Sequence, residues 1–104
     1  MNQECAELFI NQIAELMKTS AKEESIHDEA GAHSKVTYLE HLIVEARELM
    51  KYGESKIALE NMLENLNEVS ILLDKSVIDF ARQAFDGQVT SDLERLMNRL
   101  VKNK

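Results

Sequence analysis

The chain has 104 residues, of which 44% are hydrophobic and 30% charged, and its formal net charge is −7 at pH 7. That length suits one domain with an ordinary core, and the apolar content excludes a disordered chain. So negative a balance repels nucleic acid and favours a basic protein partner.

There is no proline and there are only three glycines. An all-β fold would have almost nothing to turn with, whereas Leu, Glu, Ala, Lys and Met lose little side-chain freedom in a helix. The expected class is all-α: a compact single-domain bundle of about five helices spanning residues 1–104. Cys5 is the sole cysteine, so no internal disulfide can form, and a reducing cytoplasm is the expected location. The N-terminus carries Glu4 and Glu7 and has no cationic segment leading into an apolar run, so it does not read as a secretory signal. Runs such as Leu42-Ile43-Val44 and Ile71-Leu72-Leu73 are far shorter than a membrane span of about 20 residues.

The first predicted helix runs from about Gln3 to Ala21, with Ala6, Phe9, Ile10, Ile13, Leu16 and Met17 spaced three and four apart. Residues Lys22 to Ser34 hold one large apolar residue, Ile26, and read as a polar connection or a frayed extension of that helix. A second helix is predicted to open near Thr37, which stands at capping-box spacing from Glu40. It buries Leu39, Leu42, Ile43, Ala46, Leu49 and Met50 and closes at Tyr52-Gly53. The third, from about Glu54 to Val69, has the stripe Leu59, Met62, Leu63, Leu66 and Val69, with Ile57 and Ala58 beside it. So short a link makes these two an antiparallel or sharply angled pair. Ile71 to Leu73 breaks the helical period and is expected to cross the core. Asp74 reads as the N-cap of a fourth helix that turns Val77, Ile78, Ala81, Ala84 and Phe85 inward and closes at Asp86-Gly87. The last helix is expected to begin at Ser91, which stands at capping-box spacing from Glu94, and its face is Leu93, Leu96, Met97, Leu100 and Val101. Charge shifts along the chain, from an acidic first third to a C-terminal segment carrying Arg95, Arg99, Lys102 and Lys104.

Catalytic equipment is not legible. His27 and His33 lie near Asp28 and Glu29 in the polar connection, at a spacing that matches no zinc or facial-triad pattern. His41 adjoins the apolar face of the second helix and reads as a partly buried, hydrogen-bonded side chain. Cys5 is flanked by Glu4 and Glu7, which disfavour a thiolate, so it reads as a small core or boundary residue. The methionines beyond Met1 fall on predicted inner faces and read as core filling. There is no glycine-rich phosphate loop, and neither a metal nor a cofactor is expected.

One feature stands out. Glu60, Glu64 and Glu68 lie four apart on the third helix, with Asn61 and Asn65 beside them and no lysine at i+4 to relieve the repulsion. This is either a solvated helix face or a carboxylate row held for a cationic partner. Asp74 and Asp79 could extend it at the rim.

The stretch Tyr52-Gly53-Glu54, then Ile57-Ala58-Leu59-Glu60-Asn61, then Leu63-Glu64-Asn65-Leu66 resembles the core of the MafI-like immunity proteins. These are small helical bacterial proteins encoded beside secreted toxins, those of contact-dependent growth inhibition systems among them. The resemblance covers about Leu49 to Gly87. It departs at Leu72-Leu73, where the family often has a proline, and near Asn67, where it often has an aromatic. It implies a non-enzymatic immunity protein that neutralises a cognate toxin's C-terminal domain, often a nuclease and in known pairs an EndoU-type RNase. An acidic helical surface could then occlude a cationic cleft, with Glu60, Asn61, Glu64, Asn65, Glu68, Asp74 and Asp79 as the toxin-binding residues. The rival reading is a helical interaction adaptor or a self-associating bundle without a toxin partner.

Overall fold

A computed structural model describes the backbone of residues 1–27 and 30–102, and the side chains of residues 1–19 and 36–102. Among the described residues there are five helices: α1 (Gln3–His27), α2 (Ala30–Lys51), α3 (Ser55–Glu68), α4 (Lys75–Ala84) and α5 (Ser91–Leu100). The class is all-α, as the composition implies.

α1 begins where Asn2 can cap it: the Asn2 Oδ1 accepts the Cys5 N–H at 3.1 Å. Its apolar stripe buries Ala6, Phe9, Ile10 and Ile13, with Leu16 and Met17 half-buried beyond them. The boundary between the first two helices differs from the sequence expectation. Residues 22–27 continue α1, which is the extension the sequence also allowed, and residues 30–34 already belong to α2, so the described part of Lys22 to Ser34 is helix rather than a connection. Ala, Lys and Glu are good helix formers, and with no proline nearby their intrinsic preference prevails although the segment has little to bury. Thr37 therefore lies inside α2 and caps nothing, so its spacing from Glu40 is incidental.

α2 ends in a Schellman turn. The Glu54 N–H donates to the Leu49 carbonyl at 2.9 Å and the Gly53 N–H to that of Met50 at 3.0 Å, with Gly53 at φ +78°. That single reversal lays α3 antiparallel on α2, so Tyr38 meets Asn65 while Glu45 meets Asn61. α3 buries Ala58, Leu59, Met62, Leu63 and Leu66. Val69, expected in this stripe, is 44% exposed because it is the residue that ends the helix. The buried Ser55 donates its hydroxyl to Gln3 Oε1 at 2.6 Å, which fixes the start of α3 against the start of α1.

A second turn of the same type follows α3, with Ser70 at φ +57° and the Ile71 N–H donating to the Leu66 carbonyl. The Ile71 to Leu73 segment is extended, so its side chains alternate. Leu73 is buried, Ile71 half-buried and Leu72 exposed, which corrects the expectation that all three cross the core. Leu73 also pairs through its backbone with the chain end: its N–H donates to the Leu100 carbonyl at 2.7 Å and its carbonyl accepts from Lys102 at 2.8 Å. Asp74 stands at the N-cap of α4 as expected, though its side chain makes no capping bond. The cap of α5 is Thr90, whose hydroxyl accepts the Leu93 N–H at 3.2 Å. Ser91 is the first residue of the helix, as expected, but its capping-box pairing with Glu94 does not form, since Thr90 is the cap and Glu94 is engaged in an ion pair with Arg82 of α4.

α1 packs on α2 and α4, α2 on α3, and α3 on α5. The result is a slab of 42 × 33 × 19 Å. Its core holds Met62 and Met97 fully and Met17 and Met50 in part. α3, lying between α2 and α5, keeps one face free of both.

Candidate functional site

The carboxylate row of α3 is present and outward. Glu64 and Glu68 are exposed and Glu60 half-buried. Among the described residues none of the three has an ion-pair partner within 4.0 Å. They do not share one direction, however. Each step of four residues overshoots a full turn by about 40°, so the row swings about 80° from its first member to its last. Glu60 and Glu64 overlook α5, while Glu68 turns toward α2 and acts on Tyr38.

The asparagines have structural work. The Asn61 amide donates to Glu45 Oε1 at 2.9 Å, and the Asn65 amide donates to the Asn61 carbonyl at 2.8 Å. The Tyr38 hydroxyl donates to Asn65, 3.2 Å from Oδ1. Glu45 also lies 3.4 Å from His41 Nε2. The sequence Tyr38–Asn65–Asn61–Glu45–His41 is therefore one polar chain that joins α2 to α3 and holds the carboxylate-bearing helix in register. Burial first, then the fields of Glu68 and Glu45, push the Tyr38 phenol above its ordinary pKa and keep it a neutral donor. His41 is 74% exposed rather than partly buried, because its position in α2 points away from the core.

Asp74 and Asp79 do not line the groove beside Glu60 and Glu64. Asp79 is paired with Lys75 at 3.2 Å, and Asp74 lies 4.0 Å from Lys102. Two apolar residues at the α2–α3 turn are exposed instead, Tyr52 at 73% and Ile57 at 51%. The groove between α3 and α5 has a volume of about 400 Å³ and is lined by Glu60, Glu64, Thr90, Asp92, Leu93, Arg95, Leu96 and Arg99. From the sequence alone, Arg95 and Arg99 belong to a basic C-terminal segment that could touch phosphate but is more simply a solvated face. Nothing in the local spacing shows that α5 packs against α3 and sets them opposite the glutamates.

Elsewhere, Cys5 is half-buried, with its Sγ 3.7 Å from Gln83 Oε1. Among the described residues no three His, Cys, Asp or Glu side chains converge as a metal site would require. The side chains of His27 and His33 lie outside the described residues. Among the described residues no helix is long and apolar enough to cross a membrane. In comparison with known proteins, no family model matches the chain, and no curated protein or solved structure matches it either.

Proposed function

We propose that this chain is an immunity protein that binds the C-terminal domain of a secreted bacterial toxin encoded beside it, an RNase of the EndoU type, and neutralises it stoichiometrically. The observation that carries this reading is the row Glu60, Glu64 and Glu68: three carboxylates without ion-pair partners among the described residues, on a helix whose register is fixed by buried leucines and by the Asn61–Glu45 bond. The one lysine at helical spacing from the row, Lys56 four residues before Glu60, forms no ion pair with it within 4.0 Å among the described residues, and no lysine follows any of the three at i+4. Tyr52 and Ile57 at the near end of the same helix supply the exposed apolar and aromatic surface that interface cores use. Fixed negative charge accelerates encounter with a cationic nuclease and sets its orientation. The role requires no bond to be made or broken.

The test is a binding titration of the toxin domain against the wild-type chain and against the triple substitution Glu60→Lys, Glu64→Lys, Glu68→Lys. Affinity is expected to fall by roughly 10- to 100-fold, with circular dichroism unchanged. Equal affinity would remove the α3 face from the interface.

A further inference from the structure

The groove between α3 and α5 carries opposite charges on its two walls. Glu60 and Glu64 stand on the α3 side, Arg95 and Arg99 on the α5 side together with Asp92, and the half-buried Leu96 contributes apolar surface between them. Across the groove neither arginine comes within 4.0 Å of either glutamate. Arg95 instead lies 3.4 Å from Asp92 of its own helix, where both side chains are largely exposed, and Arg99 has no ion-pair partner among the described residues. An exposed pair such as Arg95–Asp92 is weak in water and is readily exchanged for a partner's charge. The groove is thus a two-signed slot with no ion pair across it among the described residues.

Its volume of about 400 Å³ falls within the range of small-molecule pockets, roughly 300–1,000 Å³. Such pockets, however, are mostly apolar and enclose their ligand, whereas this groove is open and walled by ionised side chains. A segment of protein suits it better. A uniformly cationic nuclease cleft does not, because Arg95 and Arg99 would repel it. We infer that the α3–α5 groove receives a segment of the toxin domain that lies beside the nuclease cleft rather than in it. That segment presents a basic residue to Glu60 and Glu64, an acidic residue to Arg99 and to Arg95 in exchange for Asp92, and an apolar side chain to Leu96. The two signs fix the direction in which it lies, and a partner with charge of one sign only is rejected at one wall. This inference rests on the immunity reading.

The experiment is a titration of the C-terminal domain encoded by the neighbouring toxin gene against the full chain and its Arg95→Glu, Arg99→Glu double variant. The inference predicts an affinity loss of roughly tenfold or more. Docking into a uniformly cationic cleft predicts the reverse, a gain, because the reversal makes the groove wholly acidic. A gain, or no change, with wild-type binding intact would overturn the groove assignment and leave the immunity reading standing. Absence of wild-type binding would overturn both. The neutral variant Arg95→Gln, Arg99→Gln reads the same sign with a smaller loss, and keeps the test valid should charge reversal disturb α5.

Discussion

Three residues fix the local geometry on which the rest depends, and each can be probed singly. Gly53 has φ +78° and nothing within 4 Å of a would-be Cβ, so Gly53→Ala meets backbone strain and no steric clash. A loss of about 1 kcal/mol in urea unfolding is expected. Ser70 occupies the equivalent turn after α3 at φ +57°, and Ser70→Gly should gain roughly 0.5–1 kcal/mol for the same reason with the opposite sign. Tyr38 gives a pH signature. Its phenol pKa is raised in the folded protein by burial and by Glu68 and Glu45. In the unfolded chain it ionises at its ordinary value of about 10, so the neutral form stabilises the fold fully below that pH. Stability then declines as pH rises from the ordinary value through the raised one. Tyr38→Phe should flatten the alkaline limb of the stability–pH curve; an unchanged slope would show that Tyr38 does not carry it.

At the scale of elements, the register of α5 separates two capping schemes. Thr90 accepts the Leu93 N–H, so Thr90→Ala should cost about 1 kcal/mol while Ser91→Ala stays within a few tenths. The reverse ranking would restore Ser91 as the cap. The existence, order and inward faces of the helices were legible because their apolar residues recur at helical spacing. Leu59, Met62, Leu63 and Leu66 all went where the stripe put them. Boundaries were less legible where two signals competed. Thr37 and Glu40 carry capping-box spacing, yet the helix-forming residues before them start α2 earlier; Thr90 and Ser91 are adjacent hydroxyls, either of which suits a cap. The carboxylate row was legible as a spacing of four. Its division between two directions, and the arginines facing Glu60 and Glu64 across the groove, depend on which helices pack together, and no local pattern encodes that.

For the molecule as a whole, the decisive property is a charge distribution held on a scaffold rather than spread over a flexible chain. Under the proposed function, the net charge of −7 would steer a basic toxin domain over distances comparable to the Debye length, roughly 8 Å at physiological salt. The association rate with the toxin domain should therefore fall steeply as sodium chloride is raised, with dissociation changing less. The packing of α3 between α2 and α5 places Glu60, Glu64, Arg95 and Arg99 around one groove without any of them entering the core. The central claim is protection of a cell from the neighbouring gene's toxin domain, and growth measures it most directly. Cells induced for that domain together with this chain should grow at the uninduced rate, and cells carrying the Glu60→Lys, Glu64→Lys, Glu68→Lys variant should be arrested. Arrest despite abundant wild-type protein would contradict the account.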